Sequence, residues 1–371
     1  MGRGKTPSLR LTARLVELPL LSPFTNSRET VSKREALILE LSREGIEAYA
    51  ECVSGSSVSS TGEDNQTALR AVREDLAPRI GEGLLDPLEF LEAVGRVRGN
   101  QMAKAAVEAL LWDYRAKERG LPLDKALGHS RGLAETGVSL GKAPPKQLVE
   151  TVGRALDEGY RRVKVKIDRG SATRTLKAIR DSYPKAPLSA DANGCFELKR
   201  DLELLKGLDD YELQYLEQPL AARDIDGHSR LAEEVSTPIC LDESVGGLAD
   251  AREALDEGAA QVINVKPGRL GGLSVALDVA RLARDRKAHV WVGGMLETGV
   301  GRALNVALAC QEEVDLPGDT SPNSRYFERD IVSNPFTMRS GRVLANKGAG
   351  LGIELDEALL AKATVKAWKL L

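Results

Sequence analysis

Only four cysteines are spread through 371 residues, at Cys52, Cys195, Cys240 and Cys310. Their spacing makes neither a disulfide framework nor a C-x-x-C metal site, and Cys240 lies in an apolar run between Ile239 and Leu241. A reducing, cytoplasmic compartment is the expectation. Long hydrophobic runs are missing as well. No stretch of 18 apolar residues occurs, and the opening MGRGKTPSLRLTARL has no apolar core of the kind a secretory signal needs, so no membrane partner is expected. There is no surplus of positive charge. The 52 Lys and Arg stand against 55 Asp and Glu, a formal net charge of −3, and no nucleic-acid partner is expected. Histidine is scarce too: His129, His228 and His289 are the three in the chain. Gly4-Lys5-Thr6 resembles a P-loop tail and Gly2 with Thr6 a myristoylation signal. Both matches read as accidental, the first because no strand precedes it.

What is present is ordinary soluble composition, 42% hydrophobic and 29% charged, in a chain long enough for a large domain and a smaller one. From residue 137 short apolar runs return at a near-constant interval. They are GVSLG, VKVKI, LSAD, QYLE, ICLD, VINVK, VWVG and LPGD, with starts separated by 26, 25, 26, 25, 23, 28 and 26 residues. Helical patterns such as PKQLVETVGRALDEG (145–159) lie between them, with apolar residues at spacings of three and four and a glycine at the end. This alternation predicts an α/β fold, a TIM barrel of (β/α)8 or (β/α)7β type, with a doubly wound open sheet as the alternative. The segment before it mixes strand-like LVELPLL and LILELS with helical LRAVREDLAPRI and QMAKAAVEALLWDYRAKERG. Residues 1–130 are therefore expected to form an α+β capping domain, 131–324 the barrel, and 325–371 a segment that returns to the cap through GRVLA and GLGIEL.

The expected strands end in a pattern. Asp191, Glu217 and Asp242 close the third, fourth and fifth, 26 and 25 residues apart, one βα unit each. Three carboxylates at adjacent strand ends would meet on the rim where barrel active sites lie, and bare they would repel one another. A hard divalent cation resolves this, Mg²⁺ or Mn²⁺ rather than zinc. Lys164 and Lys166 stand two apart in the second strand and so share a face. Lys266 ends the sixth, diametrically across an eight-strand ring. Several cations together should depress lysine pKa values and make a neutral amine available as a general base. The chemistry this set supports is proton abstraction α to a carboxylate, followed by elimination or reprotonation.

Lys-x-Lys, the three acids and Lys266 in this order resemble the enolase superfamily, muconate-lactonizing subgroup. DANG, YLEQPL, CLDESV, VINVKPGRLGG, GGMLETGVGRA and LPGDTSPNSRYFERDI resemble most closely the o-succinylbenzoate synthase / N-acylamino acid racemase family. The resemblance implies Mg²⁺ on Asp191, Glu217 and Asp242, Lys166 and Lys266 as acid and base, and Lys164 in support. It also implies Asn193, Glu243, Arg269, Ser139, Gly294, Met295, Leu296 and Ser321 around the metal or substrate, and substrate loops near 18–28 and 51–64. The second loop departs from the family in being Ser and Gly from Ser54 to Ser60 apart from Val58. The implied activity is dehydration of 2-succinyl-6-hydroxy-2,4-cyclohexadiene-1-carboxylate in menaquinone biosynthesis, by a homo-oligomer acting on a small carboxylate. N-acylamino acid racemisation in the same site is implied beside it. A dipeptide epimerase is disfavoured because Asp319-Thr320-Ser321 lacks the second carboxylate of that family's Asp-x-Asp pair. A catalytically dead barrel is disfavoured because all six acids and lysines are present.

Overall fold

The computed structural model describes residues 9–25, 30–57 and 62–371. The readings at Gly2 and at Gly4-Lys5-Thr6, and the loop positions 26–28 and 58–61, lie outside the described residues.

Three strands, β1 (Arg10–Thr25), β2 (Thr30–Arg43) and β3 (Ile46–Cys52), form an antiparallel meander. Its core side is apolar, with Leu11, Ala13, Val16, Leu37, Leu39 and Leu41 buried. The helix Gln101–Glu118 packs on it. This helix is buried nearly all round, because Ala103, Ala106 and Ala109 let both the sheet and the barrel approach closely.

After β4 (Leu133–Glu135) come seven parallel strands: β5 (Val138–Leu140), β6 (Val163–Lys166), β7 (Leu188–Asp191), β8 (Leu216–Glu217), β9 (Ile239–Leu241), β10 (Val262–Val265) and β11 (His289–Val292). They neighbour one another in chain order. Each is followed by a helix, and nearly every strand residue is buried, as expected of a parallel sheet covered by helices. LPGD, expected as an eighth strand, is instead an extended segment without a full ladder. Pro317 has no N–H to give a ladder. The ring still closes through it. Gly137 N donates to Gly318 O at 2.7 Å, and Asp319 N to Val292 O at 2.8 Å.

The C-terminal segment departs from expectation in detail. β13 (Arg342–Leu344), within GRVLA, pairs with β12 (Met338–Arg339) and β4 beside the barrel, and GLGIEL makes isolated bridges. The strand that reaches the cap is β14 (Thr364–Lys369), antiparallel to β1 with Thr12 opposite Lys369. Only Thr364 and Trp368 of TVKAWK are partly buried, on one face of this edge strand.

Two buried acids lock cap to barrel. Glu51 on β3 accepts from Thr298 N, Thr298 Oγ1 and Gly301 N at the start of the helix Gly299–Ala309. Glu108 accepts from Leu273 N, Ser274 N and Ser274 Oγ at the start of Leu273–Asp285. Each satisfies backbone donors that a helix leaves open at its first turn. Among the described residues no helix is long and apolar enough to cross a membrane.

Candidate active site

Strand alternation places Val163 and Val165 in the packed core and sends Lys164 and Lys166 into the mouth of the barrel. Register then sets their partners. Lys166 lies beside Asp191 across β6 and β7, and Asp191 beside Glu217 across β7 and β8. Lys166 Nζ donates to Asp191 Oδ2 at 2.6 Å and to Asn193 Oδ1 at 2.9 Å. Lys164 Nζ donates to Glu217 Oε2 at 2.5 Å and stands 3.3 Å from Asp191 Oδ2. From the opposite side Lys266 Nζ donates to Asp242 Oδ2 at 2.8 Å, while Arg269 Nη1 takes Asp242 Oδ1. All three acids are at least 98% buried.

The electrostatics are uneven. Burial opposes ionisation of Asp191, but Lys166 and Lys164 hold it below the usual carboxylate range. Arg269 and Lys266 likewise outweigh burial at Asp242 and hold it low. Glu217 goes the other way, pushed up to about 7 by burial and by the charges of Asp191 and Asp242, which outweigh Lys164. At Lys164 burial works to lower the pKa, yet Glu217 and Asp191 raise it well above the ordinary lysine value.

Several supports were not singled out from sequence. Asn264 Nδ2 donates to Glu217 Oε1 at 2.9 Å. Arg162, fully buried beneath Lys164, donates to Tyr215 Oη at 2.8 Å and to Asp319 Oδ1, and lies 4.4 Å from the Trp291 ring centroid. Lys164 is 4.6 Å from the same ring. Asp319 is held low against burial by Arg162 and Lys164. Gly293 is required: a Cβ there would fall 2.2 Å from Asn264 Oδ1 and 2.6 Å from Lys266 Cε. A polar residue two positions before an inward-pointing lysine was the available signal, Asn264 before Lys266 and Arg162 before Lys164. Neither ends a strand.

The remaining expected residues fall as follows. Asn193 Nδ2 donates to Glu243 Oε1 at 3.1 Å, and both line the cavity. Ser139 Oγ donates to Asp319 Oδ1 at 2.9 Å and also lines it, as do Gly294, Met295 and Leu296. Ser321 does not. It is buried, and its Oγ donates to Gly137 O at 3.3 Å where the barrel closes, because Asp319 rather than Ser321 points inward. The cap supplies Phe24, Val31, Arg34, Val53, Gly55 and Ser57 to the opposite wall. His228 is a packing residue: its Nε2 accepts from Leu220 N at 3.2 Å, and burial lowers its proton affinity. His289 pairs with Asp315 at 2.6 Å, at the far end of β11.

Among the described residues no three acids stand as a finished metal-ligand shell. Asp191, Glu217 and Asp242 are brought together as expected, but each turns an oxygen to a lysine. The donor chemistry nevertheless fits a hard dication. All three are buried oxygen donors whose charges act on one another.

Residues 147–359 match the family described as enolase C-terminal domain-like, and residues 10–128 match the mandelate racemase / muconate lactonizing enzyme N-terminal domain. An o-succinylbenzoate synthase from Bacillus subtilis (strain 168) is 40% identical over 359 residues, 96% of each chain. An N-succinylamino acid racemase from Thermus thermophilus is 42% identical over 354 residues, 95% of this chain and 96% of that one. A solved enolase-superfamily member from Listeria innocua superposes with a TM-score of 0.94 at 37% identity, covering 98% of both chains.

Proposed function

Because this chain belongs to the mandelate racemase / muconate lactonizing enzyme family of the enolase superfamily, we propose that it is an o-succinylbenzoate synthase. It would dehydrate 2-succinyl-6-hydroxy-2,4-cyclohexadiene-1-carboxylate to the aromatic product in menaquinone biosynthesis. The observation that carries the reading is the pairing of three buried strand-end acids with lysines from opposite sides of one cavity. Relatives named for this activity share about 40% of the sequence over nearly the whole length.

Asp191, Glu217 and Asp242 would hold Mg²⁺, with Mn²⁺ as a substitute. When bound, the dication would neutralise the substrate carboxylate and the charge that develops on it. Lys166 takes the α-proton from one face. The same ammonium then returns a proton to the departing hydroxyl, so the C–H and C–O bonds break, a C=C bond forms and water leaves. Lys164 stays protonated beside the reacting carboxylate. Lys266 presents its ammonium to the other face. Arg162, packed under Lys164, keeps that side chain from folding away. The wall formed by the cap keeps water from the carbanionic carbon.

A second reading has its own support. Lysines on both faces are what 1,1-proton transfer needs, so N-succinylamino acid racemisation is proposed for the same site. Dipeptide epimerisation is not, since position 321 is serine and Asp319 is engaged by Arg162 and Ser139. The test is direct. Purified protein with Mg²⁺ is mixed with the cyclohexadiene substrate and the loss of its absorbance is followed, with N-succinyl-phenylglycine racemisation measured beside it by polarimetry. Turnover of neither compound overturns the reading.

A further inference from the structure

Cations cluster in the cavity, and most are matched. Lys164, Lys166, Lys266 and Arg269 sit on the strand-end acids, and Arg302 Nη2 donates to Glu297 at 2.9 Å. At the rim Lys33 pairs with Glu17 at 2.6 Å. Arg34 differs. It stands on β2 opposite Leu18, lines the cavity from the cap and is 7% exposed. Its Nε and Nη2 make no hydrogen bond to any described residue. The nearest acid is Glu51, whose Oε1 is 3.5 Å from Nη2 and is itself without a hydrogen bond. Glu51 is not free to close that gap, because its Oε2 is fixed by Thr298 and Gly301 at the start of a barrel helix. Burial also leaves its charge incomplete, with a pKa pushed up to about 6. A buried guanidinium with open donors is costly, and donors that face a cavity are placed to take an acceptor from a molecule bound there.

We propose that Arg34 receives the second carboxylate of a dicarboxylate substrate, the one at the far end of its succinyl chain, while the reacting carboxylate lies at the strand-end acids. The proposal rests on the function proposed above and deepens it: selection for a succinyl group over a neutral acyl group of equal length resides in the cap, on β2. The planar fork of arginine matches a carboxylate with two parallel N–H donors, which a lysine cannot do.

The test compares two ligands of one shape by calorimetry on the Mg²⁺-loaded protein. One is 2-succinylbenzoate; the other is 2-butanoylbenzoate, in which a methyl replaces the distal carboxylate. The wild type should bind the dianion about 10- to 100-fold more tightly, the range for a charge-assisted hydrogen bond. Arg34→Gln should erase that preference and leave the monoanion within about twofold of wild type. Arg34→Lys keeps the positive charge beside Glu51 and serves where the glutamine variant does not fold. It should lose at least about threefold of the preference, since the fork is gone. The proposal is overturned by a wild type that does not distinguish the two ligands, by variants that keep the full preference, or by an equal weakening of both ligands, which would give Arg34 a purely structural part. Absence of turnover in the wild type would sink the proposed function instead, and the binding preference would still decide the role of Arg34.

Discussion

Lys166 and Asp191 are register partners on adjacent barrel strands, and their side chains meet again at the tip, with Nζ 2.6 Å from Oδ2. Asn193 holds the same ammonium at 2.9 Å. The proposed base is therefore positioned by rigid backbone before substrate arrives. Lys166→Ala should slow dehydration by about 10²–10⁴, the usual worth of a placed general base. Single-turnover kinetics at saturating substrate measure this, and near-normal turnover in the variant would remove Lys166 from the mechanism.

A cation requirement follows from the three acids. Chelation should abolish dehydration, and Mg²⁺ or Mn²⁺ should restore it. A readout independent of catalysis is thermal unfolding. Adding Mg²⁺ at 100 times its dissociation constant should stabilise the protein by about 2.7 kcal/mol, because binding is linked to folding. Asp242→Asn should remove most of that shift. A variant that keeps both the shift and the activity would mean that Asp242 is not a ligand.

The chemistry at the strand ends was legible in the sequence because a barrel repeats. One βα unit separates Asp191, Glu217 and Asp242, so their phase with the apolar runs revealed a common rim. Lys164 and Lys166 were legible through the two-residue period of a strand. The rest lacked a local signal. Glu51 and Glu108 find partners 247 and 165 positions away, and nothing near them in the chain marks a helix start in another domain. Arg162 sits one pleat below the reactive lysines and reads as an ordinary strand-edge arginine. The eighth run, LPGD, matched the repeat in spacing, but its proline and glycine gave an extended closing segment instead of a ladder. Ser321, which the family resemblance set near the substrate, is turned by the closure of the ring to the Gly137 carbonyl.

The lock between cap and barrel should carry a pH signature. Burial pushes Glu51 from the ordinary 4.5 up to about 6. The folded state thus holds this proton more tightly than the unfolded chain does. Its contribution to stability is full below about pH 4.5 and is lost as pH rises through about 6, an amount near 2 kcal/mol. Glu51→Gln has no proton to lose. Urea unfolding of both proteins at pH 4.5 and pH 7 should show the wild type losing about 2 kcal/mol relative to the variant across that interval. An unchanged difference would mean that Glu51 ionises in the folded protein without penalty.

The last prediction concerns the division between elimination and racemisation. Asp242 is shared: Oδ2 accepts from Lys266 at 2.8 Å and Oδ1 from Arg269. Racemisation asks Lys266 to act as a base in one direction and as an acid in the other. Dehydration asks it only to present positive charge. With Arg269 removed, Lys266 would face Asp242 without a competing donor, and the tighter ion pair would hold it in the ammonium form. Arg269→Gln should therefore slow α-proton exchange from the enantiomer whose proton faces Lys266 by about tenfold more than exchange from its mirror image, about 1.4 kcal/mol of lost discrimination. Dehydration should fall less than the slower exchange. Proton NMR in D₂O, started separately from each enantiomer of N-succinyl-phenylglycine, reads both rates. Equal losses from the two enantiomers would place Arg269 with the acids alone, as a group that holds Asp242 in position. Exchange from a single enantiomer in the wild type would show that Lys266 never serves as a base, and the chain would be a dedicated synthase.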